Sequence, residues 1–277
     1  MRMVNLIENT EGIRGCAFEH GLSFYIETLS HKLLMDLGQT DNAIKNAALL
    51  GIDLSMVDTV VLSHGHYDHA GGIIPFSKVN GHATIYLQES AHGEFYADDG
   101  EAADHRYRYI GINRNILNLP QVKLLKGDYV IDDELELFTI HKRTRELPFT
   151  NKRLLVREGM EYHPDSFVHE HFLVVRDKGR SVLMSGCAHN GILGILDAYK
   201  EKYGGPPDVV ISGFHLMVNR EYRENELEEV RDIARMLSRY KTIFYTCHCT
   251  GVPAFEEMKK IMGSQLDYVH SGDEITL

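Results

Sequence analysis

The stretch DTVVLSHGHYDHAGG, residues 58–72, runs an apolar segment into three imidazoles and a carboxylate within six residues. Residues 57–62 are nearly all apolar, as in a central strand covered on both faces. A strand that stops in a ligand-rich turn brings side chains to a sheet edge, where a pocket can form. Imidazole nitrogen and carboxylate oxygen suit zinc, iron and manganese. His64 and His66, two apart, can converge on one ion as the chain leaves the strand. Asp68 and His69 are free to turn toward a second. A surface histidine tract would need neither Asp68 at that place nor Gly71 and Gly72 behind it. The pattern predicts a dinuclear centre of two divalent metal ions, zinc foremost, with iron or manganese as alternatives.

Each ion wants about four or five donors, so further ligands must come from elsewhere. His189 follows the apolar run 182–185, His215 follows 209–211 and His248 follows 243–245. Three predicted strands thus each deliver a histidine at the same polarity end.

The remaining periodicity predicts strands at 3–7, 22–27, 32–35, 83–87, 134–140 and 167–176, and helices at 42–50, 191–202, 224–240 and 253–262. Two halves of strand-then-helix composition suggest sheet on sheet, with helices on the outer faces. No linker divides residues 1–277, so one domain is expected. Residues 89–120 are polar and aromatic without a clean period. They predict a partly helical insertion over one end of the sheet, with Arg106 and Tyr107 among its candidate substrate contacts. An ordinary surface excursion or a homodimer contact is the alternative reading. Residues 141–163 are charged and read as a loop beside the pocket.

The net charge of −11 argues against a nucleic-acid partner, which would need clustered Lys and Arg. Bound metals would still let an acidic chain take a phosphorylated small molecule. No stretch approaches the ~20 apolar residues of a membrane span. The N-terminal residues read as a strand, not a signal peptide, so a cytoplasmic location is expected. Three of the four cysteines, Cys187, Cys247 and Cys249, lie beside candidate histidines, unlike a disulfide framework. Around His248, alternation in an extended segment would turn the imidazole to the site and pack the Cys247 and Cys249 thiols behind it.

HGHYDH within VVLSHGHYDHAGG resembles the HxHxDH motif of the metallo-beta-lactamase superfamily, and LLMDLG (33–38) resembles that fold's early strand and aspartate. MSGCAHNGI (184–192), ISGFHL (211–216) and YTCHCTG (245–251) resemble a narrower branch, the 7,8-dihydropterin-6-methyl-4-(beta-D-ribofuranosyl)-aminobenzene-5'-phosphate synthases of methanopterin-type pathways. The resemblance runs over nearly the whole chain. It implies an α/β fold, a four-layer alpha-beta-beta-alpha sandwich. The ligand sets expected are His64, His66 and His189 for one ion, and Asp68, His69 and His248 for the other. Asp36 and Glu170 would stand behind the ligands and orient them. Glu19-His20-Gly21 also resembles a branch motif and could approach the site.

Two departures stand out. Where the superfamily supplies a bridging aspartate, this chain has Cys187-Ala188-His189. His163, His169 and His171 compete for the place of the histidine before the preceding strand.

In the expected chemistry, Asp68 orients the attacking water, and His215 or a metal-bound water hands a proton to the leaving group. His215 is read as a substrate contact or proton donor, with metal ligation or a core hydrogen bond as the alternatives. Three functions follow: a hydrolase of a small phosphoester or phosphoanhydride, the pterin-linked synthase, and a non-enzymatic metal-binding or sensing domain.

Overall fold

Successive side chains of a strand point to opposite faces, and the layers follow from that alternation. In strand Lys32–Met35, Leu34 packs outward with Val60 and Ile85. Leu33 and Met35 pack inward with Val61, against Val182, Met184 and Ile211 of a second sheet. The computed structural model describes residues 1–277. Its first sheet orders the strands Glu274–Thr276, Arg2–Ile7, Ser23–Glu27, Lys32–Met35, Thr59–Val61, Thr84–Gln88 and Val122–Leu125. The second orders Leu266–Tyr268, Ile243–Thr246, Val209–Ser212, Arg180–Ser185, Phe172–Asp177, Leu135–Phe138 and Tyr129–Val130.

Helices Asn42–Leu49 and Ile73–Val79 bury Ala43, Ala47, Ile73 and Phe76 on the outer face of the first sheet. Helices Ile192–Tyr203, Glu224–Leu237 and Val252–Met262 bury Ile195, Leu196, Val230, Ala234 and Met258 on that of the second. This is the four-layer sandwich that the motifs implied. No helix is long and apolar enough to cross a membrane.

Strands Arg180–Ser185, Val209–Ser212 and Ile243–Thr246 are mutually parallel, and so are Lys32–Met35, Thr59–Val61 and Thr84–Gln88. Parallel strands end on one edge, so Asp36, Ser63 and His64 leave the first sheet on one side. Cys187, His189, His215 and His248 leave the second at its carboxyl ends.

Three local expectations differ. Residues 89–120 are not a helical excursion: apart from the short 3₁₀ turns Glu89–His92 and Arg114–Asn118, they provide strands Phe95–Asp98 and Tyr107–Tyr109. The charged segment 141–163 is a loop only in its first part. Strands Leu154–Glu158 and Glu161–Pro164 join the other two in a separate four-stranded sheet. Pairings such as Tyr96 with Leu155 bring together segments far apart in the chain, which short alternating runs do not announce. The strand expected at 167–176 begins only at Phe172. Before it, the chain turns through Phe167 (φ 53°), with the Phe167 N–H donated to Asp165 Oδ1 at 2.7 Å.

The glycines after HGHYDH have a steric reason. Helix Tyr67–Ala70 ends against the loop that follows Asp36, where the Gly71 N–H donates to Gly38 O at 2.8 Å. A Cβ on Gly71 would lie 1.9 Å from Gln39 O, a backbone atom. Gly71→Ala is therefore expected to lower unfolding stability by roughly 1–3 kcal/mol, read from urea denaturation. An unchanged midpoint would show that the loop yields freely.

Candidate metal centre

Four buried imidazoles are pinned the same way. His69 Nδ1 donates to Asp36 Oδ2 at 2.7 Å, His248 Nδ1 to Asn9 Oδ1 at 2.8 Å, and His189 Nδ1 to Asn151 Oδ1 at 3.0 Å. The Ser63 hydroxyl donates to Asp36 Oδ2 at 2.7 Å, so it accepts from His64 Nδ1 at 2.8 Å. Each bond spends an Nδ1 proton and turns an Nε2 lone pair inward, the arrangement that orients metal-ligating histidines.

His64 Nε2 and His189 Nε2 stand 3.3 Å apart. His66 completes this set, with one ligand atom of each of the three within 4.8 Å of the others. Two nitrogens each about 2.0–2.1 Å from one tetrahedral ion stand roughly 3.3 Å apart. Around Asp68, Oδ2 lies 3.5 Å from His69 Nε2, 3.4 Å from His248 Nε2 and 3.3 Å from His20 Nε2. Cys187 Sγ lies 3.2 Å from His69 Nε2. In each set one buried ring nitrogen, His66 Nε2 and His248 Nε2, has no hydrogen-bond partner. Buried polar groups are rarely left so, and a cation between the donors answers the deficit. The residues present therefore fit two divalent ions.

The electrostatics agree. Burial, more than any neighbour, drives His64 and His189 well below the ordinary histidine value and His66 down to about 3, so these imidazoles are neutral. Burial opposes ionisation of Asp68, but His69, His248 and His20 outweigh it and hold the carboxyl well below the usual range. Burial also pulls on His69, yet Asp36 and Asp68 outweigh it and raise that imidazole. A proton there stands where a cation would.

Supporting groups come from all over the chain. Asp36 (φ 60°), Ala188 (φ 52°), His215 (φ 50°) and His248 (φ 51°) adopt left-handed backbone at strand ends, a costly conformation held only when the surroundings over-determine it. Glu8 Oε2 accepts the His248 N–H at 2.9 Å and the Tyr268 hydroxyl at 3.0 Å. Glu170 accepts the N–H groups of His189 at 2.8 Å and Asn190 at 2.9 Å, so it holds a ligand's backbone and not its ring.

His169 accepts the Gly65 N–H at 3.0 Å and donates to Asp165 at 3.0 Å. His171 donates to Leu62 O at 2.8 Å and accepts from Gln88 at 3.1 Å. His163 is exposed. All three are thus engaged or remote. His169 and Asp165 do lie at ligand spacing from His66, but both ring nitrogens of His169 are already hydrogen-bonded, which leaves His189 beside His64 and His66 in the first set.

Both sets open on a cavity of about 900 Å³, lined in part by Tyr67, Phe149, Met217 and Cys249. His215 lies on its wall, its ring 4.2 Å from that of His189. The Thr150 hydroxyl donates to the His215 carbonyl and so accepts from Nδ1 at 2.8 Å. Nε2 is left with the lone pair, and burial lowers the imidazole to about 3. The expected proton donor is instead a neutral acceptor.

Arg106 and Tyr107 do not line the cavity: Arg106 pairs with Asp98 at 2.9 Å, and Tyr107 stacks on Tyr162 at 4.0 Å. Their neighbour Arg108 lines it instead. Cys249 was expected behind His248, but its thiol reaches the Cys187 carbonyl at 3.6 Å beside the cavity. Cys247 is buried between the sheets. The sequence reading missed Asn9, Asn151, Thr150 and Glu8. Glu8 and Asn9 do follow the end of strand Arg2–Ile7, but none of the four falls in a motif, and no local spacing marks them.

The lowered imidazoles set a pH dependence. His66 and His215, at about 3, and His171, at about 4, are all brought down mainly by burial. Unfolded, such groups take up protons below about pH 6.5, whereas folded they resist. Stability of the metal-free chain should therefore fall as pH drops from about 6.5 toward 4. Urea unfolding of chelated protein at about pH 7.5 and about pH 5 checks this, and an equal or higher midpoint at the lower pH contradicts it.

A family model for the metallo-beta-lactamase superfamily matches residues 17–245. An uncharacterised protein of Methanocaldococcus jannaschii is 24% identical over 277 residues, covering 98% of each chain. The 7,8-dihydropterin-6-methyl-4-(beta-D-ribofuranosyl)-aminobenzene-5'-phosphate synthase of the same organism is 26% identical over 276 residues, covering 92% of this chain and 88% of its own. The crystal structure of a metal-dependent hydrolase of the beta-lactamase superfamily superimposes with a TM-score of 0.82 at 28% identity, covering 100% of this chain and 99% of that one. The family match takes in every donor histidine but His248, and the chain belongs to the metallo-beta-lactamase superfamily.

Proposed function

We propose that the chain is a metal-dependent hydrolase of a small phosphorylated metabolite, a phosphoester or phosphoanhydride. The observation that carries this reading is the pairing of two donor sets with a cationic cavity wall. Arg108, Lys152, Arg153, Arg220 and Arg223 line the cavity of a chain whose net charge is −11. Arg108 and Arg153 share Asp99, and Arg220 pairs with Glu226. Lys152 and Arg223 are exposed on the wall without a carboxylate partner. Asp68, Glu226 and Glu229 line the cavity too, so its wall carries an excess of cations over carboxylates and not a single sign, and such an excess attracts anionic ligands.

Two divalent ions held in these sets supply Lewis acidity and a water acidified toward neutral pH. The chain's own groups do the rest. Ionised Asp68, backed by His20 and His248, orients the attacking water. Neutral His215 offers Nε2 as a hydrogen-bond acceptor that orients water or a substrate hydroxyl. The pinned imidazoles hold this geometry without reorganisation.

Similarity to the dihydropterin-linked synthase over most of both chains supports a second reading, a condensation in which diphosphate leaves. Tyr67 and Phe149 would supply apolar cavity surface for a flat ring.

Purified, reconstituted protein should carry close to two transition-metal ions per chain, measured by elemental analysis. It should hydrolyse at least one generic phosphodiester. His66→Ala should lose metal and turnover while circular dichroism stays native. Phosphodiesters, phosphomonoesters, lactones and thioesters are to be screened beside the pterin-diphosphate condensation. Product masses then separate hydrolase from synthase. Turnover confined to lactones or thioesters, or to RNA, would defeat the phosphate reading.

A further inference from the structure

We propose that the Cys187 thiolate is a ligand shared by the two ions, standing where the superfamily resemblance led one to expect a bridging carboxylate. This rests on the dinuclear reading above and extends it to a residue outside the two expected sets.

Position comes first. Cys187 Sγ lies 3.2 Å from His69 Nε2. A nitrogen about 2.0 Å and a sulfur about 2.3 Å from one tetrahedral ion stand roughly 3.5 Å apart. Sγ also lies within 4.8 Å of the ligand atoms of His64 and of His248. His64 belongs to the first donor set and the other two to the second, so the sulfur is within reach of both.

The backbone is built to put it there. Gly186 lies against the strand end that carries His64. A Cβ on Gly186 would lie 2.2 Å from Ser63 Oγ and 3.1 Å from Asp36 Oδ2. Ala188 turns through φ 52° with its N–H donated to Ser185 Oγ at 3.1 Å, and Gly186 O accepts the Gly213 N–H at 2.9 Å. Cys187 is thereby 3% exposed and lines the metal cavity. A buried thiol with only a structural role belongs among apolar side chains, as Cys247 does between the sheets.

Charge balance points the same way. Asp68 is the one carboxylate among the expected ligands, while Asp36 and Glu170 stand behind imidazole and backbone. Two dications in a buried pocket facing one anion leave a large uncompensated charge. A thiolate adds the second anion; on coordination the Cys187 S–H bond breaks, the S–metal bonds form and the proton leaves to solvent. A soft ligand favours zinc, iron or cobalt over magnesium or manganese.

Cobalt(II) titration into the metal-free full chain tests this without an activity assay. A near-ultraviolet thiolate-to-cobalt charge-transfer band should appear and keep growing through the second equivalent. It should vanish in Cys187→Ser and persist in Cys247→Ser and Cys249→Ser. Cys187→Asp, which restores a carboxylate, should bind two ions without the band. A band complete at the first equivalent, one surviving in Cys187→Ser, or one lost in Cys249→Ser overturns the proposal. Two bound ions and no band in the parent chain overturn it alone. A chain that takes up no cobalt defeats the dinuclear reading together with it.

Discussion

Lone pairs cannot be packed against one another in a dry pocket unless positive charge lies between them. His64 and His189 present Nε2 to Nε2 at 3.3 Å, and the ionised Asp68 carboxylate lies within 3.5 Å of Nε2 of both His69 and His248. The protein enforces this arrangement by spending the Nδ1 protons of four rings, His69, His64, His248 and His189, on Asp36, Ser63, Asn9 and Asn151. Everything else at the carboxyl edge follows from the need to hold those rings still.

The holding is done by groups with no shared local context. Asn9 lies near the N-terminal strand, Asn151 in a 3₁₀ turn beside the third sheet, and Glu170 in the turn before strand Phe172–Asp177. Four left-handed residues, Asp36, Ala188, His215 and His248, sit where the chain leaves a strand. The surrounding hydrogen bonds compensate that cost. Fold stability and site geometry are thus the same network seen from two sides: weakening the Glu8–His248 or Glu170–His189 contact would loosen backbone and ligand together.

The cavity departs from the chain as a whole in sign. An acidic protein gathers five cations on the wall above its donor sets, two without a carboxylate partner. Strand Tyr107–Tyr109 shows how finely this is set. Adjacent residues of a strand face opposite ways, so Arg108 reaches the cavity while Tyr107 stacks outward on Tyr162. Alternation by itself cannot say which of the two neighbours faces in.

The density of HGHYDH, the histidines after three apolar runs and the two-halved strand-then-helix pattern made the four-layer sandwich and the metal-bearing edge legible from the chain alone. Those signals are local: a strand period, a spacing of two or four residues, a helix stripe. What only the tertiary structure decided depends on contacts between distant segments. It paired 89–120 with 154–164 in a third sheet, brought Cys187 beside His69, turned Cys249 toward the cavity and chose Arg108 over Arg106. It also set the tautomer of each imidazole, because a ring nitrogen's proton is assigned by whichever acceptor the fold brings to it. No spacing along the chain carries that information.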